Sequence, residues 1–463
     1  ADVWECDFSE FSTPGEYRVV VEGMGCSYPF EINSDVFREP YYFTSRAMFT
    51  QRAGIEKEME PGLIYPRSQH PVDGRIIKYY PDLQKEDDFD PEQGAGEVDG
   101  VWGWYHDAGD WDSYPSHFQV PAHQLTIYEM NPLNFSDGDL AFEESQNGVP
   151  DILDEGAWQV RFYKRTKDLA LAAGYSTGGV PGSRVHGNFT GKPDGSPSWE
   201  DDRQWIITAE DPVATYRYAA LAAQLAYCYK MAHQLGQVQS PASAADTIQL
   251  YRQEATGAWT WAQANEGSDQ VRDVRCYAAA WLYKLTGNIT YLDALKTDLK
   301  NQSDYNEGNF KDQKWAIWAY ATTNDTTANL DQALKTTLIE ATTSHADNYN
   351  MDAYQMRGWR FGGNEYMPML IGQATTPWVI ESIMAYEVSG DQKYLDCVQH
   401  TADYFLGGNP LNMVWVTGLG ERNPTQILHL DSRYDQVPQV IPGVIPYGPH
   451  RGERDGYVST SDP

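Results

Sequence analysis

The feature that most limits how this chain can fold is a long succession of helical segments with no strand between them. Apolar residues recur at helical spacing over 212–235, 243–264, 269–286, 289–301, 311–322, 327–345, 372–389 and 391–406. Some of these are apolar almost all round, as in Ala219-Ala-Leu-Ala-Ala-Gln-Leu-Ala226. A helix with one apolar stripe lies on a surface, whereas one that is apolar all round must be covered on several sides. Small residues allow that close approach. A closed ring of helical hairpins covers many such helices at once and leaves function to the loops at one end. Upstream, helices are expected at 36–53 and 116–131. Another is expected from Asn147–Glu155, where Pro150 sits near the first turn and acids follow at its positive end.

The rest of the chain is not helical. Residues 1–34 read as β, with Tyr17, Val19 and Val21 alternating with polar partners and a second run at Tyr28–Ile32. Two strands do not make a stable sheet alone. The expectation is therefore the end of a β-sandwich at 1–34, with its earlier strands preceding residue 1, and a helical domain over 35–463. Segment 54–101 reads as irregular, and its acids Glu86, Asp87, Asp88, Asp90 and Glu92 suit a solvated loop or a calcium loop. Gly174–Trp205 is rich in Gly, Pro and Ser and suits the wall of a cleft. The stretch 407–463 is crowded with turn formers, and so long an irregular segment in a compact domain points to function.

Charge narrows the partners. Asp and Glu total 66 against 34 Lys and Arg, a formal net charge of -32. Such a surface repels nucleic acid and anionic membranes and suits a neutral or cationic partner. No run is long enough to span a membrane. The five cysteines are scattered without a CxxC or Cys/His cluster, which argues against zinc or redox chemistry; Cys6 and Cys26 either pair across two strands or stay free.

One short stretch carries chemistry. Gly103–Asp112 sets Asp107 and Asp110 three residues apart on a turn tightened by Ala108 and Gly109, with rings at Trp102, Trp104, Tyr105 and Trp111. Two carboxylates held close repel, so one takes or shares a proton while the other stays ionised, and together they can grip a water. Flat rings beside them suit the C–H faces of a sugar. An Asp-rich turn capping the helix near Pro115, or a calcium loop, is the plainer reading of the same residues.

These segments resemble glycoside hydrolase family 9, the inverting β-glucanases that include many cellulases, in the bacterial form with an N-terminal immunoglobulin-like module. The likeness rests on Gln51-Arg52-Ala53-Gly54, Asp107–Asp110, Asn147–Glu155, Tyr404–Pro410, Val416–Gly420 and Ile441–Gly443, in register along the chain, with Asp7–Tyr17 similar to the end of the module. The resemblance implies an (α/α)6 barrel, mainly α, and a secreted or periplasmic monomer acting on polysaccharide or oligosaccharide. By position it makes Asp110 the general base and Asp107 the holder of the same water. Trp104, Tyr105, Trp359, Arg360, His429 and Arg433 are then expected to contact substrate. Trp359 as a core residue and Arg360 as a structural ion pair are the plainer alternatives.

Three departures from the family pattern matter. Relatives often hold zinc with Cys and His near the amino end, but here Ala53 replaces a cysteine and only His70 is near, so no zinc is expected. No cofactor is required, and structural calcium is compatible. His429-Leu430-Asp431 replaces a His-His-Arg motif, with Arg433 nearby as a substitute, which implies an altered glycone pocket. The proton-donor glutamate lies in relatives beyond the segment that Ile441–Pro449 resembles. Glu453, between Arg451 and Arg454, is a poor acid, so the donor is expected beyond Pro463, and neither Glu365, Glu421 nor Glu453 is expected to face Asp110. An endo- or exo-β-1,4-glucanase is the leading expectation; an exo-acting β-glucosaminidase and a non-catalytic glycan-binding relative are the alternatives.

Overall fold

A computed structural model describes residues 4, 6–53, 57–60, 63–65, 77–79, 96–106, 108, 117–181, 197, 206–238, 241–267, 271–299, 313–363, 379–427, 429–434 and 439–446. Its helices are α1 (Arg38–Thr50), α2 (Gln119–Met130), α3 (Asp151–Ala172), α4 (Pro212–Gln234), α5 (Pro241–Asn265), α6 (Arg272–Thr286) and α7 (Ile289–Asp298). They continue with α8 (Gln313–Ala321), α9 (Gln332–Ala346), α10 (Asp352–Met356), α11 (Ile380–Ser389), α12 (Gln392–Phe405) and α13 (Leu430–Tyr434). The expected helices overlap α1 to α9, α11 and α12, with α9 starting at Gln332 rather than 327, while α10 and α13 match no expected helix; residues 116, 269–270, 300–301, 311–312 and 372–378 of the expected set lie outside the described residues.

Helices α2, α4, α6 and α8 pack each against the next, while α3, α5, α7 and α9 pair with them in turn. Burial separates α4, α6 and α8 from α5, α7 and α9, whereas α3 buries every residue from Asp151 to Val160 and α2 exposes Ile127. Every residue from Cys276 to Leu285 of α6 and from Trp315 to Ala321 of α8 is buried, whereas α7 buries only Tyr291, Leu292, Leu295 and Asp298. This alternation of fully covered and one-faced helices is that of an (α/α)6 barrel. Small residues set the spacing: Ala219, Ala220, Ala222, Ala223 and Ala226 of α4 are all buried, as are Ala278, Ala279 and Ala280 of α6.

The helix ends are written in the sequence. Asp211 accepts from the Val213 N–H at 2.9 Å, and Asn288, Asp331 and Asp391 cap α7, α9 and α12 in the same way. Each such cap is worth about 1 kcal/mol. Gly287 and Gly390 close α6 and α11 in the left-handed region that favours glycine.

Strand β1 (Gly15–Tyr17) pairs antiparallel with β4 (Phe30–Ile32), and β2 (Val20–Val21) with β3 (Gly25–Cys26). The β reading of 1–34 thus has its counterpart, in strands of two or three residues. Cys6 and Cys26 are exposed and unlinked. The expectation that 54–101 is irregular is corrected. There β5 (Lys57–Glu60) pairs with β6 (Leu63–Tyr65), and β7 (Ile77–Tyr79) lies between antiparallel β8 (Gly96–Val98) and parallel β9 (Ile206–Ile207). Strands this short show no alternation to read, and β9 is supplied from far along the chain. Among the described residues no helix is long and apolar enough to cross a membrane.

Candidate active site

The site is assembled from the end of α1. Beyond Gln51 the chain runs extended against 104–106: Arg52 bridges Tyr105, the Ala53 N–H donates to the Trp104 carbonyl at 2.9 Å, and the His106 N–H donates to the Gln51 carbonyl at 2.7 Å. This fixes the backbone immediately before Asp107. Asp107 and Asp110 themselves lie outside the described residues, but Ala108 between them is described. Its φ of +52° is left-handed, a conformation that costs a residue with a Cβ about 1–2 kcal/mol.

The late loop holds that turn. The Leu430 N–H donates to the Ala108 carbonyl at 2.9 Å. A hydrogen bond of this kind contributes about 0.5–1.5 kcal/mol net, the same order as the strain at Ala108. Beside it, buried His429 places Nε2 3.0 Å from Gln51 Oε1. An amide carbonyl oxygen only accepts, so His429 Nε2 is the donor in this contact. The late loop is itself tied to α1. The Gly443 N–H donates to the Thr417 carbonyl at 2.7 Å, and Gly443, at φ +85°, lies so close to Phe43 that a Cβ would fall 1.9 Å from its carbonyl oxygen. Only glycine fits there.

Behind the turn is a buried charged network. Arg52 is wholly enclosed, with Glu144 Oε1 at 2.5 Å and Glu155 Oε2 at 3.1 Å. Its guanidinium lies over Trp158 at 4.4 Å, Phe49 at 4.9 Å and Phe142 at 5.2 Å. Burial opposes its charge, but Glu155 and Glu144 more than offset that and hold it cationic. The Tyr105 hydroxyl donates to the Glu155 carboxylate. Burial pushes the Glu155 carboxyl up, with Arg52 and Tyr105 pulling the other way, and burial followed by Glu155 pushes the Tyr105 phenol well above its ordinary range. At the start of α3, Asp151 accepts from the Gly138 N–H at 2.9 Å, the Leu140 N–H at 2.7 Å and the Ser145 hydroxyl at 2.8 Å.

Two expected substrate contacts are corrected by this geometry. Trp104 is 0% and Tyr105 2% exposed, so neither offers a ring face to a sugar. Their carbonyl, ring and hydroxyl instead join the wall behind the turn: the Trp158 indole N–H donates to the Trp104 carbonyl at 3.1 Å. Alternation in the extended segment could not say which of these rings faces inward. Of the others, His429 adjoins the turn, and the Arg433 N–H donates to the His429 carbonyl at 2.9 Å while its side chain is exposed near Tyr434. Trp359 and Arg360 stand on a different loop, after α10. Trp359 is 39% exposed rather than a core residue, and Arg360 is exposed at φ +43°. The Arg357 guanidinium shapes that loop, donating to the carbonyls of Phe361 at 3.1 Å and Gly362 at 2.9 Å.

Glu421 is exposed; Glu365 and Glu453 lie outside the described residues, as do His70 and the acids 86–92. Among the described residues no three His, Cys, Asp or Glu side chains are grouped to hold a metal. The side-chain roles of Gln51, Glu144 and Glu155 were not assigned from sequence, although Gln51–Gly54 and Asn147–Glu155 stood out as matched segments.

The family model of glycosyl hydrolase family 9 matches residues 39–462. The chain belongs to this family. It is 25% identical over 518 residues to a cellulose 1,4-beta-cellobiosidase of Acetivibrio thermocellus, covering 98% of this chain and 56% of that protein. It is 27% identical to endoglucanase C of Cellulomonas fimi, covering 90% of this chain and 39% of that one. To a xyloglucan-specific endo-beta-1,4-glucanase of Bacteroides ovatus it is 26% identical, with 99% and 78% covered. The chain therefore spans about half the length of the first relative and less of the second. The crystal structure of a metagenome-derived family-9 endoglucanase superposes with a TM-score of 0.74 at 23% identity, covering 96% of this chain and 78% of that one, and shares the fold.

Proposed function

We propose that the protein is an inverting glycosidase acting on β-1,4-glucan-type polysaccharide or oligosaccharide, with Asp110 as general base and Asp107 holding the same water. Family membership over residues 39–462 carries this reading. The strained turn at Ala108, gripped by segments from opposite ends of the chain, supports it, because a base has to be held still relative to the sugar. In an inverting reaction the base removes a proton from water as the oxygen attacks the anomeric carbon, while an acid protonates the departing oxygen from the other face. Trp359, exposed on its loop, is suited to packing against a sugar ring, and Arg433 to a hydroxyl contact. A secreted or periplasmic monomer belongs to the same reading, and the metal-free chemistry needs no cofactor.

The test is Asp110→Asn, assayed on cello-oligosaccharides. Hydrolysis should fall by about 10²- to 10⁴-fold while oligosaccharide binding persists, and the wild-type product should appear first as the α-anomer by NMR. Near wild-type turnover in the variant would show that the base is assigned wrongly. The net charge of -32 favours a second reading, an exo-acting β-glucosaminidase on cationic oligomers.

A further inference from the structure

We infer that Gln51 is a positioning residue that locks the late loop onto the base-bearing turn, and that His429 serves as the other half of this lock rather than as a sugar contact. The inference rests on the glycosidase reading above for its catalytic meaning, but the lock itself is a matter of geometry. Gln51 acts twice: its backbone carbonyl accepts from His106, the residue before Asp107, and its side-chain carbonyl accepts from His429 Nε2 at 3.0 Å. The next residue, Leu430, donates to the carbonyl of Ala108, inside the turn. One side chain thus seats His429, and the seat aims the Leu430 N–H at the carbonyl of Ala108, which lies between the two aspartates.

The arrangement has a directional logic. Ala108 is held left-handed, so the turn relaxes if its carbonyl loses its partner. The Leu430 N–H that reaches that carbonyl follows His429 directly in the chain, so the seat of His429 helps to set its position. His429 has its Nε2 proton committed to Gln51 and is 3% exposed, which leaves that donor unavailable to a sugar hydroxyl. Gln51 is fixed in turn by the end of α1 and by the ladder through Arg52 and Ala53.

The experiment pairs kinetics with amide hydrogen exchange on the full chain, comparing wild type, Gln51→Leu and Gln51→Glu. Leu removes the acceptor at similar volume; Glu keeps an oxygen acceptor. The expected result for Gln51→Leu is a kcat on cello-oligosaccharide lower by about 10- to 100-fold with KM little changed, together with faster exchange at Leu430. Gln51→Glu should recover most of both losses. A raised KM with unchanged kcat in Gln51→Leu would overturn the inference and return His429 to the substrate. Unchanged exchange at Leu430 would overturn it as well. If the wild type cleaves no β-glycan, the exchange comparison alone decides whether the lock exists.

Discussion

At the scale of single residues, the chemistry was more legible than its supports. The Asp107/Asp110 turn and Gln51-Arg52 stand out in the sequence, but nothing local says that the Gln51 side chain meets a residue 378 positions away. Trp104 shows the converse error: a ring next to an acid pair reads as a sugar platform, yet its neighbours enclose it. His123 on α2 is another residue whose behaviour only packing reveals. It lies edge-on to Trp315 of α8 at 5.1 Å, and burial, with Lys314 adding to it, holds its pKa down to about 4. In the unfolded chain it titrates near 6.5. Because the unfolded state takes up the proton first, this residue's contribution is fully present above pH 6.5 and is lost as pH falls to about 4. Urea unfolding from pH 7.5 to 4 should show that loss, and His123→Gln should flatten the corresponding part of the profile. An NMR titration of His123 with a midpoint near 6.5 would contradict it.

At the scale of elements, helices were readable because period and caps repeat along each one, as Asp211 before α4 and Gly287 after α6 illustrate. The strands β5–β9 were not, since each is four residues or fewer and its partner is set by tertiary placement. Between helices, the decisive joint is a buried ion pair. Lys284 of α6 meets Glu129 of α2, with side chains 1% and 6% exposed. Thr322, just after α8, accepts from Lys284 at 2.6 Å, and the Trp318 indole N–H donates to Glu129 at 3.2 Å. The ammonium also lies 4.9 Å from the Tyr227 ring of α4. Helices α2, α4, α6 and α8 thus meet at one charge. Lys284→Met alone should destabilise by about 3–5 kcal/mol, because it leaves the buried Glu129 carboxyl without its cationic partner. The double variant Lys284→Met with Glu129→Gln should recover a large part of that. Additive losses in urea unfolding would show that the two groups do not depend on each other.

At the scale of the whole molecule, one global property separates two chemistries that the local geometry leaves side by side. The chain carries a formal net charge of -32, and an excess this large has two consequences with different salt dependence. Self-repulsion lowers stability, and salt screens it, since the screening length falls from about 30 Å at 0.01 M to about 8 Å at 0.15 M. The melting temperature should therefore rise over that range. Substrate capture follows a different rule. A neutral cello-oligosaccharide gains nothing from the field, so its kcat/KM should stay within about twofold across the same salt range. A glucosamine oligomer is cationic and is drawn in by the field, so its kcat/KM should fall steeply as salt is added. Measured side by side, a neutral substrate with the higher, salt-independent kcat/KM supports the β-glucan assignment. A cationic oligomer with the higher value at low salt, declining as the field is screened, would move the assignment to the β-glucosaminidase reading.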